Sequence, residues 1–242
     1  HPWVGGINAI QISEIDLNLD GIMDLILFDR TGNKLTPFLK TNGEYIFAPE
    51  YRAAFSNHLH DWVILADYNC DGKQDIFTYS SAGIAVLENT STNSLSFNMV
   101  TPLILSDYGS SNLNLYVSSA DFPAITDVDN DGDLDILTFS IIGGFVEYHR
   151  NMAIELTGSC DTIAYKKEND CWGNFFEGLN DYLINCTSCN PDSCSSPLLP
   201  NLSHSKQKHA GSTLLAIDVD NDNDKDLILG DISYTNINLL TN

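Results

Sequence analysis

Positive charge is scarce in this chain: its 242 residues carry 11 Lys and Arg against 33 Asp and Glu, a net charge of −22. An acidic surface repels phosphate backbones and anionic lipid heads, so nucleic acid and direct membrane insertion are poor expectations. Long apolar runs are missing as well, and none approaches the roughly 18 residues of a membrane span. No G-x-S-x-G elbow, phosphate loop, dinucleotide fingerprint or H-E-x-x-H occurs, so no catalytic motif is present and the chain is not read as an enzyme. No sustained helical stripe competes with the short apolar runs described below. No signal peptide is visible, and the chain begins at His1, which reads as a mature or trimmed fragment.

What is present is an apolar fraction of 43%, enough for a sizeable core, and an unusual distribution of acids. An acidic tail would be a block at one end; here the aspartates fall in four nine-residue stretches. Residues 16–24 read DLNLDGIMD, 67–75 DYNCDGKQD, 127–135 DVDNDGDLD and 218–226 DVDNDNDKD. Positions one, three, five and nine are always Asp or Asn, and position six is Gly in three copies and Asn223 in the fourth. Gly and Asn both tolerate the left-handed backbone of a tight loop.

The flanks repeat too. A strand-like run precedes each loop, a second follows it, and a third ends at Asn42, Asn89, Asn151 or Asn242. Fourth runs are expected at 45–51 and 95–105. The loops start 51, 60 and 91 residues apart, and four short strands in about 40–50 residues predict a propeller blade. The expectation is an all-β, propeller-type fold of four-stranded antiparallel blades near 7–56, 61–106, 113–159 and 210–242. The long third interval is assigned to a Cys-rich insertion at 160–209.

Oxygens at alternate positions of a curled loop suit Ca²⁺, which takes six to eight hard oxygen ligands. A residue at position seven can add its backbone carbonyl, here Ile22, Lys73, Asp133 or Asp224. The start resembles an EF-hand, but the Glu at twelve is missing and the flanks are strands. Clustered like charges also repel unless a cation neutralises them.

The strand, the D-x-D-x-D-G-x-x-D-[LI] loop and the following apolar strand resemble the FG-GAP/VCBS repeat family, best known from integrin alpha subunits. The matches are Asp16–Leu25, Asp67–Ile76, Asp127–Ile136 and Asp218–Leu227. The segments HPWVGG, HDWVILADYNCDGK, GGFVEYHRN and HAGSTLLAIDVDND further resemble secreted Bacteroidetes FG-GAP proteins. The resemblance implies a seven-bladed propeller, hence further blades continuous with this chain, and up to four Ca²⁺ ions. It places ligands at Asp16, Asn18, Asp20 and Asp24; Asp67, Asn69, Asp71 and Asp75; Asp127, Asp129, Asp131 and Asp135; and Asp218, Asp220, Asp222 and Asp226. The literal FG-GAP tetrapeptides are absent, so the match rests on the loops.

Five of six cysteines lie between Cys160 and Cys194, while Cys70 sits inside the second loop. Cys186-x-x-Cys189 is compatible with half a zinc knuckle, but a disulfide-stapled insertion in an oxidising compartment is the better reading. Five clustered thiols cannot all pair among themselves, so either Cys70 takes the odd one or a thiol stays free. His58 with His60, and His204 with His209, are read as surface histidines rather than metal pairs.

The leading expectation is therefore a secreted or cell-surface Ca²⁺-binding module for adhesion to a protein or glycan. The alternatives are a polysaccharide-acting propeller enzyme and a structural part of a larger surface protein. Fourteen of the 33 acids stand at the four main loop positions, so four bound Ca²⁺ would bring the net charge from −22 to −14.

Overall fold

Each nine-residue loop closes an antiparallel hairpin in one fixed register. The residue just before position one pairs with the aspartate at position nine: Ile15 with Asp24, Ala66 with Asp75, Thr126 with Asp135 and Ile217 with Asp226. The computed structural model describes residues 6–55, 59–179, 182–195, 212–231, 235 and 237–242. Four such hairpins, each extended by further strands, make the fold all-β and propeller-like, as the repeat predicts.

The chain divides into two units, His1–Ile104 and Leu105–Asn242. In the first, β1 (Ile10–Ile15), β2 (Asp24–Asp29), β3 (Lys34–Thr41) and β4 (Glu44–Phe47) form one blade in sequential order. The second blade repeats this with β5 (Val63–Ala66), β6 (Asp75–Ser80), β7 (Gly83–Asn89) and β8 (Phe97–Thr101). The fourth strands thus fall inside the expected fourth runs or at their edge. The first strands of the two blades meet where the Gln11 side-chain oxygen accepts the Val63 N–H at 2.9 Å. Ile15, Leu17, Ile26 and Phe28 of the first blade pack with Val63, Ile76 and Leu87 of the second in one buried cluster. Burial of both faces explains why β2 and β6 read as nearly unbroken apolar runs.

In the second unit, β9 (Leu105–Asp107) and β10 (Asn112–Asn114) precede β11 (Ala124–Thr126), β12 (Asp135–Phe139) and β13 (Val146–Asn151). A one-turn helix, α1 (Ala153–Thr157), leads to β14 (Tyr165–Asn169). The sheet order is β10-β9-β14-β13-β12-β11, with β14 and β9 parallel. The outer strand of the third blade is therefore drawn from within the segment read as an insertion, beyond the expected blade end at 159. Its sequence, YKKEN, is polar because an outer strand buries little, so it carries no apolar signal. The short β9–β10 hairpin then covers the free edge of β14.

Only after β14 does the chain leave the sheet, forming the small hairpin β15 (Phe176–Glu177) and β16 (Tyr182–Leu183). Disulfides Cys171–Cys189 and Cys186–Cys194 staple this segment. The two cysteines of the C-x-x-C thus pair with other partners, which removes the zinc-knuckle alternative. No cysteine is free, so Cys70 is oxidised as well.

The fourth blade follows as β17 (Ser212–Ile217), β18 (Asp226–Asp231) and β19 (Ile237–Leu240). Phe122 forms a parallel bridge with Thr213, and Leu214 N–H donates to Phe122 O at 2.9 Å. Leu137, Phe139 and Val146 share a buried cluster with Leu214, Leu227 and Leu229. Among the described residues no helix is long and apolar enough to cross a membrane.

Candidate metal centres

The loops are shaped by their own carboxylates before any ion is considered. The Asp16 side chain accepts the N–H groups of Asp20 (3.1 Å) and Gly21 (2.8 Å), and Asp67 does the same for Asp71 and Gly72 at identical lengths. Asp127 accepts Gly132 N–H, and Asp218 accepts Asn223 N–H, both at 3.1 Å. Position three accepts from position five at Asn18, Asn69 and Asp129. Position five accepts from position seven at Asp20, Asp71, Asp131 and Asp222. This ladder of short side-chain-to-backbone bonds curls the chain, which is what Asp and Asn do in turns.

Two backbone positions must be left-handed for the curl to close. Position six is so in every copy, with φ of 82°, 85° and 103° at Gly21, Gly72 and Gly132 and 75° at Asn223. Position four is left-handed as well, at Leu19, Cys70, Asn130 and Asn221. The sequence hides this second requirement, because Leu and Cys are not residues that announce it.

Position nine plays a different part from the others. Asp24, Asp75, Asp135 and Asp226 are at most 1% exposed. One oxygen of each accepts the N–H at loop position two: Leu17, Tyr68, Val128 or Val219, at 2.8–3.0 Å. The other accepts an N–H at the end of the third strand or just beyond it: Lys40, Asn89, Asn151 or Asn242, at 2.7–3.0 Å. The recurrent asparagine read from the sequence marks this anchor in three copies. In the first copy the anchor is Lys40, two residues before Asn42. Position nine thus bolts the loop to the blade, and its oxygens keep a second lone pair for a ligand, except Asp135 Oδ2, which also accepts the Tyr148 hydroxyl at 3.1 Å.

The acids converge in the third and fourth loops. Asp127, Asp129 and Asp135 offer oxygens within 4.8 Å of one another, and so do Asp218, Asp220 and Asp226. The first two loops carry Asn18 and Asn69 at position three, leaving three Asp each at the main positions. Lys73, at position seven of the second loop, turns its ammonium to Asp71 Oδ2 at 2.9 Å. Ile22 at the same place in the first loop is exposed. Asp133 is buried and accepts Ile154 N–H through Oδ2, while its Oδ1 has no partner. Asp127 Oδ1 and Asp224 Oδ1 are likewise buried without a hydrogen-bond partner. Such orphaned carboxylate oxygens, aligned in an acidic loop, fit a hard divalent cation.

Electrostatics agree with that chemistry. Burial pushes the Asp135 carboxyl up to about 7, against the N–H groups of Asn151 and Val128 that favour its charged form. Burial likewise raises Asp75 and Asp133 to about 6. Asp129 is raised by burial and by the charge of Asp131. Without a cation, these groups hold protons above the usual carboxylate range.

Two side chains at the third loop were invisible to the sequence reading. Glu155, on α1, joins Asp129 and Asp131 in a second grouping of three acids within 4.8 Å. Arg150, near the end of β13, faces the same acids: its Nε lies 2.6 Å from Asp129 Oδ2 and it also pairs with Glu155. A Glu and an Arg flanking the recurrent Asn151 were the available signal.

Residues 16–78 match the FG-GAP-like repeat family. That stretch runs from the first loop to β6 and holds the first two aspartate loops. No curated protein matches the chain significantly. Among solved structures, a lectin from Agrocybe aegerita, described by its specific recognition of non-reducing terminal N-acetylglucosamine, is similar at 17% identity and a TM-score of 0.40. The alignment covers 91% of this chain and 60% of the lectin, so the chain spans less than two thirds of that structure.

One cluster away from the loops has the ingredients of a hydrolytic relay. His149 Nδ1 lies 2.8 Å from Ser106 Oγ, and its Nε2 lies 3.3 Å from Glu147. Ser106 and His149 are both fully buried, so the serine cannot meet a substrate. The cluster instead satisfies polar groups where β9 and β13 flank β14. His60 bonds its neighbour Asp61 at 2.6 Å; His58, His204 and His209 lie outside the described residues.

Proposed function

We propose that this chain is a secreted, calcium-dependent, propeller-type binding module that recognises a glycan or protein at a cell surface. The observation that carries the metal part is the convergence of Asp127, Asp129 and Asp135, and of Asp218, Asp220 and Asp226, beside buried carboxylate oxygens with no partner. Asp16, Asn18, Asp20 and Asp24, with Asp67, Asn69, Asp71 and Asp75, would serve the first two loops. Calcium supplies charge neutralisation there and ties the first hairpin of each blade, so folding and metal binding are linked. Affinity at such extracellular sites is of order 10⁻⁴–10⁻³ M.

The integrin-alpha-like resemblance and the two disulfides of the inserted segment support an oxidising, extracellular setting. The ion is structural in this reading, the module is non-catalytic, and the natural protein continues into further blades. Thermal melts in excess Ca²⁺ and after exhaustive chelation test it: a melting point lowered by several degrees without metal is expected. An identical melt after confirmed metal removal would overturn it. A glycan array probed with and without Ca²⁺ separates a sugar ligand from a protein one.

A further inference from the structure

The four loops differ in who supplies their positive charge. At the third loop the chain supplies some of it. The Arg150 guanidinium is ion-paired with Asp129 Oδ2 through Nε at 2.6 Å and reaches Asp131 Oδ2 through a terminal nitrogen at 3.4 Å. It also pairs with Glu155. Asp129 belongs to both acid triads of this loop, the one with Asp127 and Asp135 and the one with Asp131 and Glu155.

The arginine is held in place by its surroundings. Its backbone pairs with Lys166 of β14, and the next residue, Asn151, gives its N–H to Asp135 Oδ1 at 2.7 Å. On the far side, α1 brings Glu155, and Ile154 N–H holds Asp133 Oδ2 at 3.1 Å. The end of β13 and the helix after it therefore wrap the loop with one cation and one further acid. The fourth loop has the same five aspartates, yet none of them carries an ion pair among the described residues.

We infer that Arg150 is a built-in counter-cation of the third loop, keeping it folded without metal and weakening its affinity for calcium relative to the fourth loop. The physics is competition. A guanidinium next to Asp129 and Asp131 offsets their repulsion in the metal-free protein. A dication arriving among the same oxygens meets a positive neighbour and must displace or tolerate it. The inference rests on the calcium reading above and adds an order to it: the fourth loop fills first, and the third needs more metal.

The test uses the whole chain, wild type, R150Q and R150K, stripped of metal and titrated with Ca²⁺ by calorimetry. R150Q is expected to tighten one site by about three- to tenfold, the effect of deleting one partly exposed charge beside a dication. It should also lower the metal-free melting point by more than the calcium-loaded one. R150K should stay near wild type in both. If R150Q does not fold without metal, its calcium-loaded form is mixed with a fluorescent chelator instead, and slower release of one ion is expected. Unchanged or weaker calcium binding in R150Q, or faster release, overturns the counter-cation role, because it would mean that Arg150 orients the ligands. A flat wild-type titration would instead overturn the calcium reading itself, and this inference with it.

Discussion

The side-chain amide of Asn130 donates to the backbone oxygen of Asn223 at 2.8 Å, joining the third loop to the fourth. Both residues have left-handed backbones, at positions four and six of their respective loops. Each is thus held at the point where its own loop curls. If both loops take calcium as proposed, this hydrogen bond gives a change in the curl of one a route to the other, and binding at the two is expected to be coupled.

Removing that link without disturbing the backbone is possible with N130G, since glycine accepts the left-handed conformation. The variant should lose about 1 kcal/mol of stability, the worth of one hydrogen bond. Calcium binding at the third and fourth loops should become less cooperative, read as a shallower calorimetric transition. Unaltered cooperativity would show that the amide contact is only local.

The buried and exposed aspartates of one loop should fail differently. Both oxygens of Asp135 accept backbone N–H groups, so D135N turns one acceptor into a donor facing another donor. That leaves buried N–H groups unsatisfied and should cost about 2–4 kcal/mol even in chelator. Asp129 is repelled by Asp131 but paired with Arg150, so D129N trades one for the other and should cost the chelated protein less than about 1 kcal/mol, while weakening calcium binding. Urea unfolding in chelator and in excess Ca²⁺ separates the two. Equal destabilisation in chelator would contradict the division between anchor and ligand.

Much of this site was legible as spacing. The nine-residue period, the oxygens at one, three, five and nine and the left-handed position six all come from residue types with one physical use in a tight loop. The double bond of position nine to the blade was not legible, because its partners are backbone N–H groups on residues as unlike as Lys40 and Asn151. Arg150 and Glu155 were missed for a related reason: they reach the loop only after β13 and α1 fold back on it. The outer strand β14 escaped because YKKEN has neither alternation nor apolar character.

Stability should respond to pH in opposite senses with and without calcium. In the metal-free protein Asp135 is raised from 3.8 to about 7, and Asp75 and Asp133 to about 6. The folded state then binds more protons than the unfolded state between pH 4 and 7, so acidification through that window stabilises the metal-free fold. Calcium requires the deprotonated carboxylates, so the loaded protein should lose stability over the same window as protons displace the ion. On going from pH 8 to pH 5 the melting point should therefore rise in chelator and fall in excess Ca²⁺. Parallel trends in the two series would show that these carboxylates do not face the ion.

The docking of the inserted segment on the third blade is open to a steric test. Gly144 has φ of 85°, and a Cβ built on it would lie 2.4 Å from Cε2 of the Phe176 ring. Its carbonyl accepts Glu177 N–H at 2.8 Å, so the backbone cannot easily move away. Phe176 is buried against Phe145, with ring centroids 5.2 Å apart. G144A adds left-handed strain and overpacking at once and should cost about 2–4 kcal/mol. F176L, with a smaller side chain, should lose about 1–2 kcal/mol alone yet recover part of the G144A defect in the double variant, because the clash is with the ring. Strictly additive losses in urea would mean that the backbone strain at Gly144, not the ring contact, sets the cost.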